Sequence, residues 1–231
     1  MSQKKIIIFS PHPDDEIIWC GWTIAKAKRM WHEISIVYLS FWEYSSPNIE
    51  SKKLKLVRKK EALKVIDFFW ISKKNVFFLW IEDNAISAND LDSMKKIIEI
   101  IRNFKPDIAY IPNRKDNYFD HSQSWILVLR ALDMAWSNNF FEYGGKWFRV
   151  NNILEYEIYT TFNKYSYTED ISDYIDYKIK AIKIYNSQSK LSWNISNFIS
   201  DKVAYLSWFR AAYTIWEFRE VFNVIRTTGI L

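Results

Sequence analysis

A chain of 231 residues, 49% hydrophobic and 26% charged, has the length of one large domain and the makeup of an ordinary globular protein. Its net charge of +5 is spread out, the densest basic cluster (Lys52 to Lys60) reads as the solvated face of a helix, and no Arg-rich arm, zinc-finger spacing or RNA-binding aromatic motif accompanies it, which sets nucleic acid aside. No apolar run approaches the roughly 18 residues of a membrane span, Met1 to Lys5 lead into a core strand without a leader, and a single cysteine, Cys20, rules out an internal disulfide and suits a reducing cytoplasm.

Lys4–Ser10 is a short apolar run rich in β-branched residues and predicts a buried strand. A helical pattern follows over Ile17–Met30, then a strand over Glu33–Ser40 and a helix over Glu50–Phe69. Asn75–Trp80 predicts the third strand, Asp90–Phe104 the third helix and Asp107–Pro112 the fourth strand, entered after Pro106. A helix is expected over His121–Ala135, a late aromatic-rich strand over Ile153–Phe162, and helices over Ser172–Tyr185 and Ser200–Phe222. The alternation predicts a Rossmann-like α/β fold: a mostly parallel sheet with helices on both faces and right-handed crossovers, in a single domain over 1–231.

The chemistry-bearing run is Ser10-Pro11-His12-Pro13-Asp14-Asp15-Glu16, between the first strand and the first helix. Ligands of open α/β sheets bind at the carboxyl ends of strands. His12 and Asp15 suit a divalent metal, and a catalytic zinc takes three protein ligands plus an open position. Of the two other histidines, His32 falls at the opposite end of the sheet as a surface residue. His121 follows the fourth strand and returns to the edge that carries His12. Asp14 diverges from its neighbour Asp15 and is left as a general base. Glu16 favours the positive end of the helix and reads as structural, and Cys20 as a small buried residue.

The tryptophans are anomalous. The chain has 12 Trp and 4 Gly, where glycine at about 7% would give roughly 16. Trp31 and Trp70 follow helices, where a glycine is preferred, and Trp42 and Trp80 follow strands. Trp19 and Trp22 bracket Cys20-Gly21 just behind the His12 motif. Two readings stay open. Either UGA codons that the cell reads as glycine are translated here as tryptophan, which a Lys-, Ile-, Asn-, Phe- and Tyr-rich chain from an AT-rich genome would suit, or the chain is truly Trp-rich. Trp147, after Gly144-Gly145-Lys146, is the one most in keeping with a genuine tryptophan.

The run His12-Pro13-Asp14-Asp15-Glu16 resembles the first motif of the LmbE-like, or PIG-L, zinc-dependent N-acetylglucosaminyl deacetylases, and Asp116 with Asp120-His121 resembles the second. Arg58 and Glu61 match an R-x-x-E pair. Asp170-Ile171-Ser172, Ser187-Gln188 and Glu217-Phe218 fit the C-terminal pattern, so the resemblance spans nearly the whole chain. It implies one Zn2+ (or another divalent metal) on His12, Asp15 and His121, and Asp14 as the base in hydrolysis of an N-acetyl amide. Glu43, Arg58 and Asp83 would then contact a small amino-sugar conjugate. Tyr118 stands where the family often has a second histidine, which leaves the oxyanion stabiliser open. The aglycone and homo-oligomerisation are open too. An amidase on a thiol-sugar conjugate uses the same site, and a non-catalytic sugar- or metal-binding protein would not need Asp14. A dinucleotide-binding protein is disfavoured because no G-x-G-x-x-G follows the first strand.

Overall fold

The computed structural model describes residues 2–191, 204–212, 214 and 217–228. Strands β1 (Lys5–Ser10), β2 (Glu33–Tyr38), β3 (Val76–Phe78), β4 (Ile108–Pro112) and β5 (Asn152–Tyr156) run parallel to one another. Helix α1 (Asp15–Arg29) joins β1 to β2, α2 (Ser51–Phe68) joins β2 to β3, α3 (Leu91–Phe104) joins β3 to β4, and α4 (Phe119–Trp136) joins β4 to β5. Strand β6 (Tyr167–Asp170), helices α5 (Ile175–Ile182) and α6 (Asn186–Leu191), a helical stretch at 204–211 and strand β7 (Arg219–Arg226) follow. The sheet order is β3-β2-β1-β4-β5-β7-β6, with β7 antiparallel to both neighbours.

β1 shows why the sheet is covered on both faces. Ile6 and Ile8 join a core with Ile24 of α1, Val65 of α2 and Ala181 of α5, while Ile7 and Phe9 join a second core with Ile97 of α3 and Leu127 of α4. A strand buried on both sides reads as a continuous apolar run, as this one does. The chain order reverses between β1 and β4, so the crevice above their carboxyl ends lies at a topological switch point, where open α/β sheets bind ligands.

Four expectations need correction. Ser200–Phe222 is not one helix: within the described residues helix covers 204–211, and Arg219–Arg226 is β7, while 200–203, 213, 215 and 216 lie outside them. Val221, Phe222 and Val224 favour a strand, and β7 gains two partners in β5 and β6. The late strand stops at Tyr156, and Ser172–Tyr185 splits into a 3-10 turn at Ser172–Tyr174 and α5. His32 is covered: it is 8% exposed, and its Nδ1 accepts from the Lys4 backbone N–H.

Two helix ends use tryptophan where glycine is the usual residue. After α1, Trp31 N–H donates to the Lys28 carbonyl and His32 N–H to that of Ala27. After α2, Trp70 donates to Asp67 and Ile71 to Ile66. Both are Schellman motifs, whose C′ residue takes a left-handed backbone, and Trp31 and Trp70 stand at φ 62° and 50°. Trp80 (φ 62°) is an extra residue between Leu79 and Ile81, whose N–H groups donate to the consecutive carbonyls of Tyr38 and Leu39. Trp42 stands at φ 53°. The other two suspects differ: Trp19 is half-buried within α1, and Trp22 is fully buried, its Nε1 donating to the Ile175 carbonyl.

Candidate metal centre

The turn from β1 into α1 is stiffened by Pro11 and Pro13, which fix their own φ angles. Glu16 holds it from beneath. Its buried carboxylate accepts from Asp14 N–H at 3.0 Å, Ser10 Oγ at 3.2 Å, Tyr38 hydroxyl at 2.9 Å and the Tyr185 hydroxyl. Burial lifts its pKa to about 7 against those hydrogen bonds. Glu16 therefore anchors the turn on β2 and on the segment after α5.

That turn and the N-terminus of α4 bring His12, Asp15 and His121 together, all buried. His12 Nδ1 lies 3.4 Å from Asp15 Oδ2 and 3.3 Å from His121 Nε2, and His121 Nε2 lies 3.6 Å from Asp15 Oδ2. Donor atoms about 2.1 Å from a zinc ion at tetrahedral angles stand about 3.4 Å apart. The three atoms thus form one face of such a tetrahedron, with a donor set of two imidazoles and a carboxylate.

The outer nitrogens of both imidazoles are occupied in the way metal-ligating histidines require. His121 Nδ1 lies 2.9 Å from Asp116 Oδ1, and His12 Nε2 lies 3.3 Å from Asp120 Oδ2. A proton on each outer nitrogen leaves the inward nitrogen a free lone pair. The carboxylates are held in turn: Asp116 accepts from the N–H groups of Tyr118 and Thr160, and Asp120 from that of Asn84. His12 Nε2 also groups with Asp83 and Asp120 as a second potential cation set, but there it faces the carboxylate that orients it. Burial opposes protonation of His12, yet hydrogen bonds to Asp120 and Asp15 outweigh it and raise its pKa to about 9, so a metal taken up at Nδ1 would displace a proton from it.

Asp14, between the two metal-side residues of the turn, stands at φ 130°, outside the backbone range of ordinary residues. Burial and then the neighbouring Asp15 push its carboxyl well above the usual carboxylate range, with Arg58 opposing them.

Glu43, Arg58 and Asp83 are not solvated charges: they are 2%, 0% and 4% exposed. Arg58 donates from Nη2 to Ser45 Oγ at 3.1 Å, while its Nε and Nη1 have no hydrogen-bond partner among the described residues. Glu43 Oε1 accepts from Lys55 Nζ at 2.6 Å and from Asp83 N–H, and Asp83 Oδ2 accepts from Tyr44 N–H. Glu43 Oε2 and Asp83 Oδ1 have no hydrogen-bond partner among the described residues, although Asp83 Oδ1 lies 3.9 Å from His12 Nε2. Glu61 serves another purpose, accepting from Ser187 N–H and Oγ to hold the start of α6.

Residues 7–132, more than half of the chain, match the family model described as PIG-L, GlcNAc-PI de-N-acetylase. The chain belongs to the PIG-L family. This PIG-L chain is similar to the diacetylchitobiose deacetylase of Thermococcus kodakarensis, 27% identical over 195 residues that cover 80% of this chain and 70% of the relative. Among solved structures, the N,N'-diacetylchitobiose deacetylase of Pyrococcus horikoshii superposes with a TM-score of 0.84 at 23% identity, covering 96% and 84% of the two chains. The 4-carboxy-2-hydroxymuconate hydratase GalB of Pseudomonas putida gives 0.84 at 19% identity over 99% and 100%. These likenesses establish the fold of this PIG-L member.

Sequence reasoning missed two features of the site. Asp120 reads from sequence as a helix-end residue beside His121, but its carboxylate serves His12, 108 positions away. Tyr159 packs its ring 5.2 Å from that of His121, with no sequence signal to single it out.

Proposed function

We propose that this protein is a metal-dependent amide hydrolase that removes the N-acetyl group from an N-acetylglucosamine-type conjugate. The observation that carries the reading is the triangle of His12 Nδ1, Asp15 Oδ2 and His121 Nε2, with edges of 3.3 to 3.6 Å and both outer imidazole nitrogens on carboxylates. The names of the family and of the Thermococcus relative support the substrate class. A zinc ion held there supplies Lewis acidity toward an amide carbonyl and lowers the pKa of its water to about 7.

The chain's own groups supply the rest. Asp14 takes a proton from the attacking water and returns it to the leaving nitrogen, a task suited to a carboxyl whose pKa is raised. Arg58, with Nε and Nη1 unpartnered, holds a hydroxyl or an anionic group of the aglycone. Glu43 Oε2 and Asp83 Oδ1 accept from sugar hydroxyls. Tyr118, whose ring lies 4.9 Å from that of His121, is our candidate donor to the developing oxyanion. Acetate and a free amine leave.

The test is acetate release from a panel of N-acetylglucosamine conjugates, diacetylchitobiose included, with zinc added or chelated. Zinc-dependent release is expected. Zinc binding without release from any amide would instead support the non-catalytic binder, and a hydratase, which the likeness to GalB makes worth assaying, would consume an enol or alkene substrate without releasing acetate.

A further inference from the structure

The residues of the metal centre are buried. His12, Asp15 and His121 are 3%, 4% and 1% exposed, and Arg58 is 0% exposed. A hydrolytic centre has to admit both an amide and water. The cavity of about 590 Å³ at this edge of the sheet, lined by residues such as Asn113, Arg114 and Phe162, includes none of these four.

Trp42 packs beside His12 and Arg58. Its ring centroid lies 6.1 Å from that of His12, its Nε1 donates to the Tyr118 hydroxyl at 3.0 Å, and the Arg58 guanidinium carbon lies 4.8 Å from its ring centroid. The indole is thus wedged between a residue beside the metal triangle and the cation proposed to hold the aglycone. Arg58, whose guanidinium lies against the indole, has Nε and Nη1 without a hydrogen-bond partner among the described residues, and Glu43 Oε2, Asp83 Oδ1 and Asp120 Oδ1 in the same site likewise have none. Burying so many unsatisfied groups is costly, and a polar ligand in the indole's place would lie against the Arg58 guanidinium. The backbone points the same way. At φ 53° Trp42 holds a conformation that glycine adopts freely and that a Cβ disfavours.

We propose that the indole of Trp42 fills the substrate entrance of the metal centre, and that position 42 is a glycine position whose side chain sets what the centre admits. The proposal rests on the metal-hydrolase reading.

The test compares the full chain with Trp42→Gly and Trp42→Ala. Each protein is loaded with Co2+, and its visible absorption is followed while acetohydroxamate, a small carbonyl-like metal ligand, is added. Both variants are expected to bind acetohydroxamate at least about tenfold more tightly than the parent, equivalent to about 1.4 kcal/mol. Cobalt affinity itself, measured by competition with a chelating dye, should stay unchanged. Equal acetohydroxamate affinity in three cobalt-loaded proteins overturns the proposal while leaving the metal reading intact. Failure of all three to take up cobalt overturns the metal reading, and the proposal with it. Unfolding of the glycine variant, seen by circular dichroism, overturns the assignment of position 42 as a glycine position.

Discussion

Asp14 combines a disfavoured backbone, a buried carboxyl and an acidic neighbour, a set of costs tolerated only where the surroundings over-determine it. Its φ of 130° turns the chain so that Asp15 enters the helix facing the two imidazoles. Asp14→Asn is expected to keep the metal and to lower kcat by about 10²–10⁴-fold, the usual cost of removing a general base; zinc content by elemental analysis and turnover on diacetylchitobiose check it. Loss of zinc with full activity on reconstitution would mean that Asp14 and Asp15 have exchanged roles. The tryptophans divide at this scale too. Trp31 and Trp70 occupy left-handed C′ positions and are 83% and 76% exposed, so Trp31→Gly and Trp70→Gly should each raise stability by about 1 kcal/mol in urea unfolding. Trp22 is fully buried beside Lys178, whose Nζ lies 4.0 Å from its ring centroid, so Trp22→Gly should cost about 3–5 kcal/mol. UGA codons at 31, 42, 70 and 80 would explain the four positive-φ tryptophans; UGG codons there would leave the strain as a property of the native chain. These four positions were legible because glycine's task is set by where one element ends and the next begins. Trp22 was not, because what packs on it comes from α5, far along the chain.

At the scale of elements, the parallel half was readable because each of its strands is an apolar run and each helix ends near a turn signal. The antiparallel end was not. β6 is four half-buried residues, Tyr167–Asp170, with no apolar run, and β7 adjoins a helical stretch, so its alternation blends into a helical pattern. What fixes β7 in place is long-range. Glu220, 5% exposed, accepts from the N–H groups of Trp22 and Thr23 and from Thr23 Oγ1 on α1, and from Lys178 Nζ at 3.0 Å on α5. One carboxylate thus ties a strand to two helices and neutralises a lysine that is 2% exposed. Glu220→Ala should destabilise the fold by about 3–5 kcal/mol, because it leaves the Lys178 charge buried and unpaired. Lys178→Met in the same background should recover much of that loss, since a buried pair replaced by apolar side chains is often nearly neutral. Additive losses in the double variant, measured by urea unfolding, would show that the pair does not act as a unit.

On the scale of the molecule, the candidate centre is a consequence of topology. His12 and His121 are 109 positions apart, yet β1 and β4 are neighbours in the sheet, so the loops at their carboxyl ends face each other across the switch point. The His12-x-x-Asp15 part is local and could be read directly. His121 needed the parallel order of the strands, and Asp120 as the partner of His12 needed the geometry itself. Because the fold alone brings the three donor atoms within 3.6 Å, binding a metal requires little rearrangement, and its free energy should add to folding stability. A ligand held only by the native state at about 1,000 times its Kd stabilises by about 4.1 kcal/mol. For a chain of this length each kcal/mol moves Tm by about 2–4 °C, so zinc in that excess should raise Tm by roughly 8–16 °C over the chelated protein. His121→Ala removes one vertex of the triangle and should abolish most of the zinc-dependent rise. Asp14→Asn removes none and should keep it. Scanning calorimetry of the three proteins with zinc and with a chelator separates the cases: a zinc-dependent rise that survives in His121→Ala would place the bound metal somewhere other than between the two loops.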